Sequence, residues 1–188
     1  MKLIVGLGNP GKEYESTRHN AGAWFVRALA FYFGVNFSWE PKFQGEMARV
    51  QKDGRDFRLL IPSTFMNLSG QSIQAVATFY KIFPNEILVI HDEIDLPVGQ
   101  VKLKFAGGDG GQRGVRSTIS HIGLEFWRLR IGVGHPGHKD QVSDYVLHAP
   151  SKAEQVLIEQ SLEKALENIN LILDQKTDQF MNHINRQD

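Results

Sequence analysis

The sequence predicts an α/β protein: a single-domain three-layer sandwich with a twisted, mixed and mainly parallel β-sheet flanked by helices, and a long C-terminal helix. Three observations carry this prediction. Unbroken apolar runs such as Leu3-Ile4-Val5 and Ile87-Leu88-Val89-Ile90 have the character of strands buried on both faces. Segments with apolar residues at helical spacing interleave with them, the order that covers a parallel sheet with helices. A length of 188 residues at 41% hydrophobic suits one domain over residues 1–188, and no repeat, low-complexity tract or linker divides the chain.

Taken in order, residues 2–7 read as a buried strand. Residues 21–33 read as a helix with Ala21, Trp24, Phe25, Ala28, Leu29 and Tyr32 on one face. Residues 47–51 and 57–61 read as strands joined through the turn signal Asp53-Gly54. Ser69 stands where a cap would open a helix running to about residue 80, with Pro84 as its stop. Residues 86–91 form a second buried strand. Residues 101–105 alternate apolar and basic side chains, the pattern of a half-exposed strand, and residues 126–133 alternate similarly. In the tail, Ile158, Leu162, Ala165, Ile169 and Ile172 fall at the spacing of one helical face.

Composition narrows the function. There is no cysteine, which excludes disulfides and thiolate chemistry. No apolar run approaches the roughly 20 residues of a membrane span, and Met1-Lys2 followed by three apolar residues does not read as a signal peptide. A cytoplasmic monomer is the expectation. Lys+Arg and Asp+Glu balance at 21 each, but unevenly along the chain. Residues 101–140 hold seven Lys/Arg against three acids, and residues 151–188 four against seven. The basic stretch is either a solvated surface or a face that meets phosphates.

The opening stretch GLGNPGKEYESTRHN contains G-x-G-x-x-G after a strand. A dinucleotide site needs a helix that starts inside the glycine loop and a ribose-binding acid about 20 residues on. Here apolar periodicity starts only at Ala21, and no Asp or Glu lies between Glu15 and Glu40. The dinucleotide reading therefore fails two of its contexts. What remains is a polar loop at the carboxyl end of the first strand, where open α/β sheets bind ligands. It offers Asn9, Tyr14 and His19. A second strand end carries His91-Asp92-Glu93, and a third leads into a helix through Asn67. A carboxylate beside an imidazole fixes its tautomer and stabilises its charged form, as a general base requires. Each residue also has a plain structural reading: Asn67 as a helix cap, Asp92 as the start of a turn. His135-Pro136-Gly137-His138 and His91-Asp92 have no specific metal-ligand spacing and read more simply as turns. With no G-x-S-x-G elbow, the chemistry on offer is water activated by an imidazole, without a covalent intermediate.

The stretches GLGNPGKEYESTRHNAG, TFMNLSG, HDEIDLP and RLRIGVGHPG resemble the bacterial peptidyl-tRNA hydrolase family, in its order and near its length. The resemblance implies a cofactor-free, metal-independent esterase that cleaves the bond between a peptide and the 3′-terminal ribose of tRNA. It implies a catalytic His19 oriented by Asp92, with Asn9 and Asn67 shaping the peptide and water site. Tyr14, Asn20, Phe65, Met66, Gln112 and Arg113 are the implied substrate-binding residues. Lys102, Lys104, Arg116 and Arg130 are the expected contacts to acceptor-stem phosphates, Lys104 and Arg130 matching the family directly. One loop departs from the family's usual G-G-G-H-G-G-H-N-G: residues 106–114 read AGGDGGQRG, with Asp109 and Gln112 for histidines and Arg113 for an active-site asparagine. Asp109 is a candidate partner for Arg113. The altered loop raises an alternative, a fold-retaining RNA-binding homologue with weak or no hydrolase activity.

Overall fold

Alternate residues of the central strands leave one sheet on opposite sides, and this builds two cores. The computed structural model describes residues 1–185; Arg186 and Asp188, which enter the charge of the tail, lie outside them. Strand β1 (Leu3–Gly6) is central. On one side of the sheet Leu3 and Val5 join Leu60, Ile87 and Val89 beneath Ile73, Val76 and Val115. On the other, Ile4 joins Leu59, Leu88 and Ile90 beneath Phe25, Val26, Leu29, Ile158 and Leu162. Such period-two alternation of purely apolar residues requires a helical layer on each face.

The remaining strands are β2 (Ser38–Glu40), β3 (Gly45–Lys52), β4 (Arg55–Pro62), β5 (Ile87–Glu93), β6 (Val101–Phe105) and β7 (Trp127–Gly132), in the order β2-β3-β4-β1-β5-β7-β6. Pairings β4-β1, β1-β5 and β5-β7 are parallel, while β2-β3, β3-β4 and β6-β7 are antiparallel. Only β3 and β6 therefore run against the others, and the sheet is mixed and mainly parallel, as the sequence predicts. The helices are α1 (Ala21–Phe33), α2 (Ser69–Tyr80), α3 (Arg113–Ile122), α4 (Val142–Val146), α5 (Lys152–Glu167), α6 (Ile169–Leu173) and α7 (Thr177–Asn185).

Five local expectations are corrected. The buried face of α1 carries Gly22, Val26, Ala30 and Phe33 beside Ala21, Phe25 and Leu29, while Tyr32 is exposed. The face is turned because α1 approaches the sheet through Gly22, whose added Cβ would lie 2.1 Å from the Ile90 carbonyl oxygen. Gly6 on β1 is under the same constraint, 2.4 Å from the Gly22 carbonyl oxygen. This opening glycine thus serves helix-on-strand packing. Ser69 does not cap α2; it is the first helical residue and its hydroxyl donates to the Met66 carbonyl at 2.7 Å. The helix ends at Lys81 in the left-handed region, before Pro84 is reached. Strand β5 runs on through His91, Asp92 and Glu93, because β7 pairs with it as far as Glu93↔Gly132. The tail keeps its apolar stripe, with Ile158, Leu162, Ala165, Ile169 and Ile172 all buried, but breaks at Asn168 and after Leu173. Asn168 donates its amide to the Lys164 carbonyl, which occupies a helical acceptor at that end.

Candidate active site

Strands β1 and β5 are parallel neighbours, so their carboxyl ends open at the same edge of the sheet. The loop after β1 carries Asn9 and continues to a short 3₁₀ turn, Arg18–Asn20, that holds His19. The segment after β4 carries Phe65 and the turn Met66–Leu68. These pieces, with the loop before α3 and the short α4, enclose a cavity of about 450 Å³. Asn9, His19, Phe65, Met66, Asn67, Asp92, Gln112 and Arg113 all line it.

The two ionisable groups at the centre are in contact. His19 Nδ1 and Asp92 Oδ2 lie 2.8 Å apart, with Asp92 almost wholly buried. Burial pulls the His19 pKa down and the Arg113 charge adds to that. The Asp92 carboxylate, by charge and hydrogen bond, raises it, and the balance stands above the ordinary histidine value. With Nδ1 engaged, Nε2 is the nitrogen available to a reactant.

The asparagines are held differently. Asn9 Oδ1 accepts from the Met66 backbone N–H at 2.7 Å, so its NH₂ remains for the cavity. Behind it, Asn20 accepts from the Asn9 N–H at 2.9 Å and donates to the Asn9 carbonyl at 3.0 Å. Asn20 is therefore not on the cavity wall; both ends of its amide fix the backbone of Asn9. Tyr14 is also absent from that wall and meets Phe65 edge-on, ring centroids 6.4 Å apart. Asn67 is exposed to the cavity, with no side-chain hydrogen bond among the described residues, so it is not acting as a helix cap.

Asp109 does not pair with Arg113. Its carboxylate accepts from Arg116 Nε at 2.9 Å, and Arg116 holds the Asp109 pKa below the usual carboxylate range. The phosphate candidates also divide. Lys102 and Lys104 are exposed on the edge strand β6, opposite Arg130 and Arg128 in the antiparallel register. Arg130 Nε donates to Glu93 at 3.0 Å, so this guanidinium and Arg116 already have carboxylate partners. Arg128, on the same face, is buried and donates to the Ala106 carbonyl at 3.2 Å.

Lys139, Val142, Ser143, Val146 and Leu147 also line the cavity, and the motifs do not point to them. The i, i+4 apolar pair Val142/Val146 was the available signal. Arg18 fastens this wall to the His19 turn. Its guanidinium donates to the Tyr145 and His148 carbonyls at 3.0 and 3.3 Å and to Glu154 at 3.1 Å. Among the described residues no three His, Asp or Glu gather as a metal site. His135 and His138 each accept a backbone N–H two residues on through Nδ1, as turn residues do. His91 is fully buried and bonded to the Asp92 carbonyl at 2.8 Å, and burial keeps it neutral by lowering its pKa. No helix among the described residues is long and apolar enough to cross a membrane.

Comparison with known proteins shows the family that the motifs resemble. The family model described as "Peptidyl-tRNA hydrolase" matches residues 3–188. A peptidyl-tRNA hydrolase of Ruthia magnifica subsp. Calyptogena magnifica is 56% identical over 170 residues, covering 90% of this chain and 89% of that one. One from Acinetobacter baylyi is 51% identical over 185 residues, covering 98% and 96%. The crystal structure of the peptidyl-tRNA hydrolase from Acinetobacter baumannii superposes with a TM-score of 0.96 at 48% identity, covering 98% of this chain and 94% of that one. The chain belongs to the peptidyl-tRNA hydrolase family of enzymes.

Proposed function

We propose that this chain hydrolyses the ester between peptide and tRNA in peptidyl-tRNA, releasing both, with His19 as general base and Asp92 as the group that orients it. The observation that carries this reading is the 2.8 Å contact between His19 Nδ1 and Asp92 Oδ2 at the wall of a cavity that also holds two asparagine amides. Asp92 fixes the tautomer that carries hydrogen on Nδ1. Nε2 then takes a proton from water as the water oxygen attacks the ester carbonyl carbon. The NH₂ groups of Asn9 and Asn67 donate toward the oxygen on which negative charge develops. When the carbon–oxygen bond to the ribose breaks, the imidazolium returns its proton to the leaving oxygen. No metal or cofactor enters these steps.

On the RNA side, Lys102 and Lys104 meet acceptor-stem phosphates, with Arg116 and Arg130 beside them. A-form RNA is recognised through shape and phosphates, a task suited to an edge strand of exposed lysines. Phe65, Met66, Gln112 and Arg113 border the peptide end, and Tyr14 and Asn20 act from behind Phe65 and Asn9. The chain works as a single hydrolase-like domain, monomeric and cytoplasmic.

The test is hydrolysis of N-acetyl-aminoacyl-tRNA beside tRNA binding, for the wild type and His19→Ala. The wild type turns over, and the variant loses roughly 10²–10⁴-fold in kcat, the contribution of a positioned base, while binding tRNA normally. Wild-type binding without turnover would install the non-catalytic RNA-binding reading in its place.

A further inference from the structure

Gln112 sits at the N-cap of α3, a place where Ser, Thr, Asp and Asn are the favoured residues. Its side chain is longer than capping needs. The amide oxygen accepts the Val115 backbone N–H at 2.8 Å, which is the cap. Because that backbone group can only donate, the orientation of the amide is fixed and its NH₂ points the other way. There it donates to Asp92 Oδ1 at 3.0 Å and touches Met66 Sδ at 3.3 Å. Gln112 is 9% exposed, and every hydrogen-bonding position of its amide facing these groups is used.

The consequence falls on Asp92. One carboxylate oxygen holds His19 and the other is held by Gln112. A carboxylate tied only to the imidazole could rotate about its own bond and carry the ring with it. The second tie comes from the N-cap of a ten-residue helix, so it is as fixed in place as α3 itself. Met66 joins the same arrangement through its backbone, which orients Asn9. A single side chain from α3 therefore connects the orienter of the base to the turn that places an oxyanion donor.

We propose that Gln112 is a positioning residue for hydrolysis, holding the Asp92 carboxylate in register with His19, rather than a substrate-binding group. The proposal rests on the general-base reading of His19. It also explains the glutamine: a capping residue of ordinary length would satisfy α3 without reaching Asp92.

Capping and positioning are separated by Gln112→Ser. Serine caps a helix well but is too short for Asp92, so α3 keeps its cap while the buried Asp92 oxygen loses its donor. We expect kcat to fall by roughly ten- to a hundred-fold, a part of the ~10²–10⁴-fold that a positioned base supplies, with KM within about two-fold. The acidic limb of the pH profile moves to higher pH, because Asp92 loses a donor and pulls harder on the imidazolium proton. A Gln112→Ser enzyme with wild-type kcat and pH profile, measured where His19→Ala is inactive, overturns the proposal alone. Full activity of His19→Ala would instead remove the general-base reading beneath it. A loss confined to KM would return Gln112 to the substrate.

Discussion

Asp109 Oδ2 accepts a hydrogen bond from Arg116 Nε at 2.9 Å, and this contact leaves Arg113 without an ion pair among the described residues. The loop explains the choice. Gly110 and Gly111 both adopt left-handed backbone (φ 58° and 86°), and Asp109 Oδ1 closes the turn by accepting the Gly111 N–H at 2.7 Å. Asp109 is thereby folded toward Arg116, while Arg113 stands free on the cavity wall and lowers the His19 pKa.

Arg113→Asn should therefore raise the acidic limb of kcat/KM. The sign follows from the charges: a cation near the imidazole disfavours imidazolium, so its removal lets the protonated form persist to higher pH. His19 must be neutral to act as base, and its pKa already lies above the ordinary histidine value. Activity then appears at higher pH in the variant, and kcat/KM on its plateau rises as the base strengthens. Profiles of N-acetyl-aminoacyl-tRNA hydrolysis decide this. A limb that stays in place with lower activity would make Arg113 a working part of the site.

Hydrolysis should persist in EDTA. The catalytic steps assigned to His19 and Asp92 use water and protons alone, and His135 and His138 each give one ring nitrogen to loop backbone. Chelator-sensitive turnover restored by zinc would overturn this expectation.

Lys104→Ala and Arg130→Ala should both raise KM more than they lower kcat, but unequally. Lys104 is exposed, whereas Arg130 is bound to Glu93 at 3.0 Å and must share its charge. Each full phosphate contact contributes roughly 0.7–0.9 to the log–log salt slope. Lys104→Ala should lose about that amount, and Arg130→Ala less. Equal losses would mean that Glu93 releases Arg130 to the RNA, and unchanged slopes would put the RNA on another face.

Ala106→Gly should stabilise the protein. Ala106 has φ of 58°, where an L side chain is strained by roughly 1–2 kcal/mol, partly offset by the greater freedom of glycine in the unfolded chain. The net gain is about 1 kcal/mol at most, a rise in melting temperature of about 2–4 °C for a chain of this size. Calorimetry reads it directly. A lower melting temperature would mean that the Ala106 methyl makes contacts worth more than the strain.

The sequence by itself determined the architecture and the centre of the candidate site. Leu3-Ile4-Val5 and Ile87–Ile90 declared buried parallel strands because residues apolar on both faces have no other use in a chain this short. Asn9, His19, Asn67 and Asp92 could be placed together because parallel neighbours open at one edge of a sheet, and the roles proposed for them come from the family resemblance. The tertiary structure decided the partners. Nothing in the spacing told that Asp109 takes Arg116 over Arg113, that Glu93 holds Arg130, or that Arg18 fastens residues 145, 148 and 154 to the His19 turn. Nor could it show Asn20 facing the Asn9 backbone instead of the cavity. Periodicity records which face of an element is apolar, a property each segment carries in itself. A hydrogen bond between distant residues depends on how far one element rotates and how closely it approaches another. In this fold that was set by contacts such as Gly22 against the Ile90 carbonyl, where the missing side chain leaves no mark in an apolar pattern.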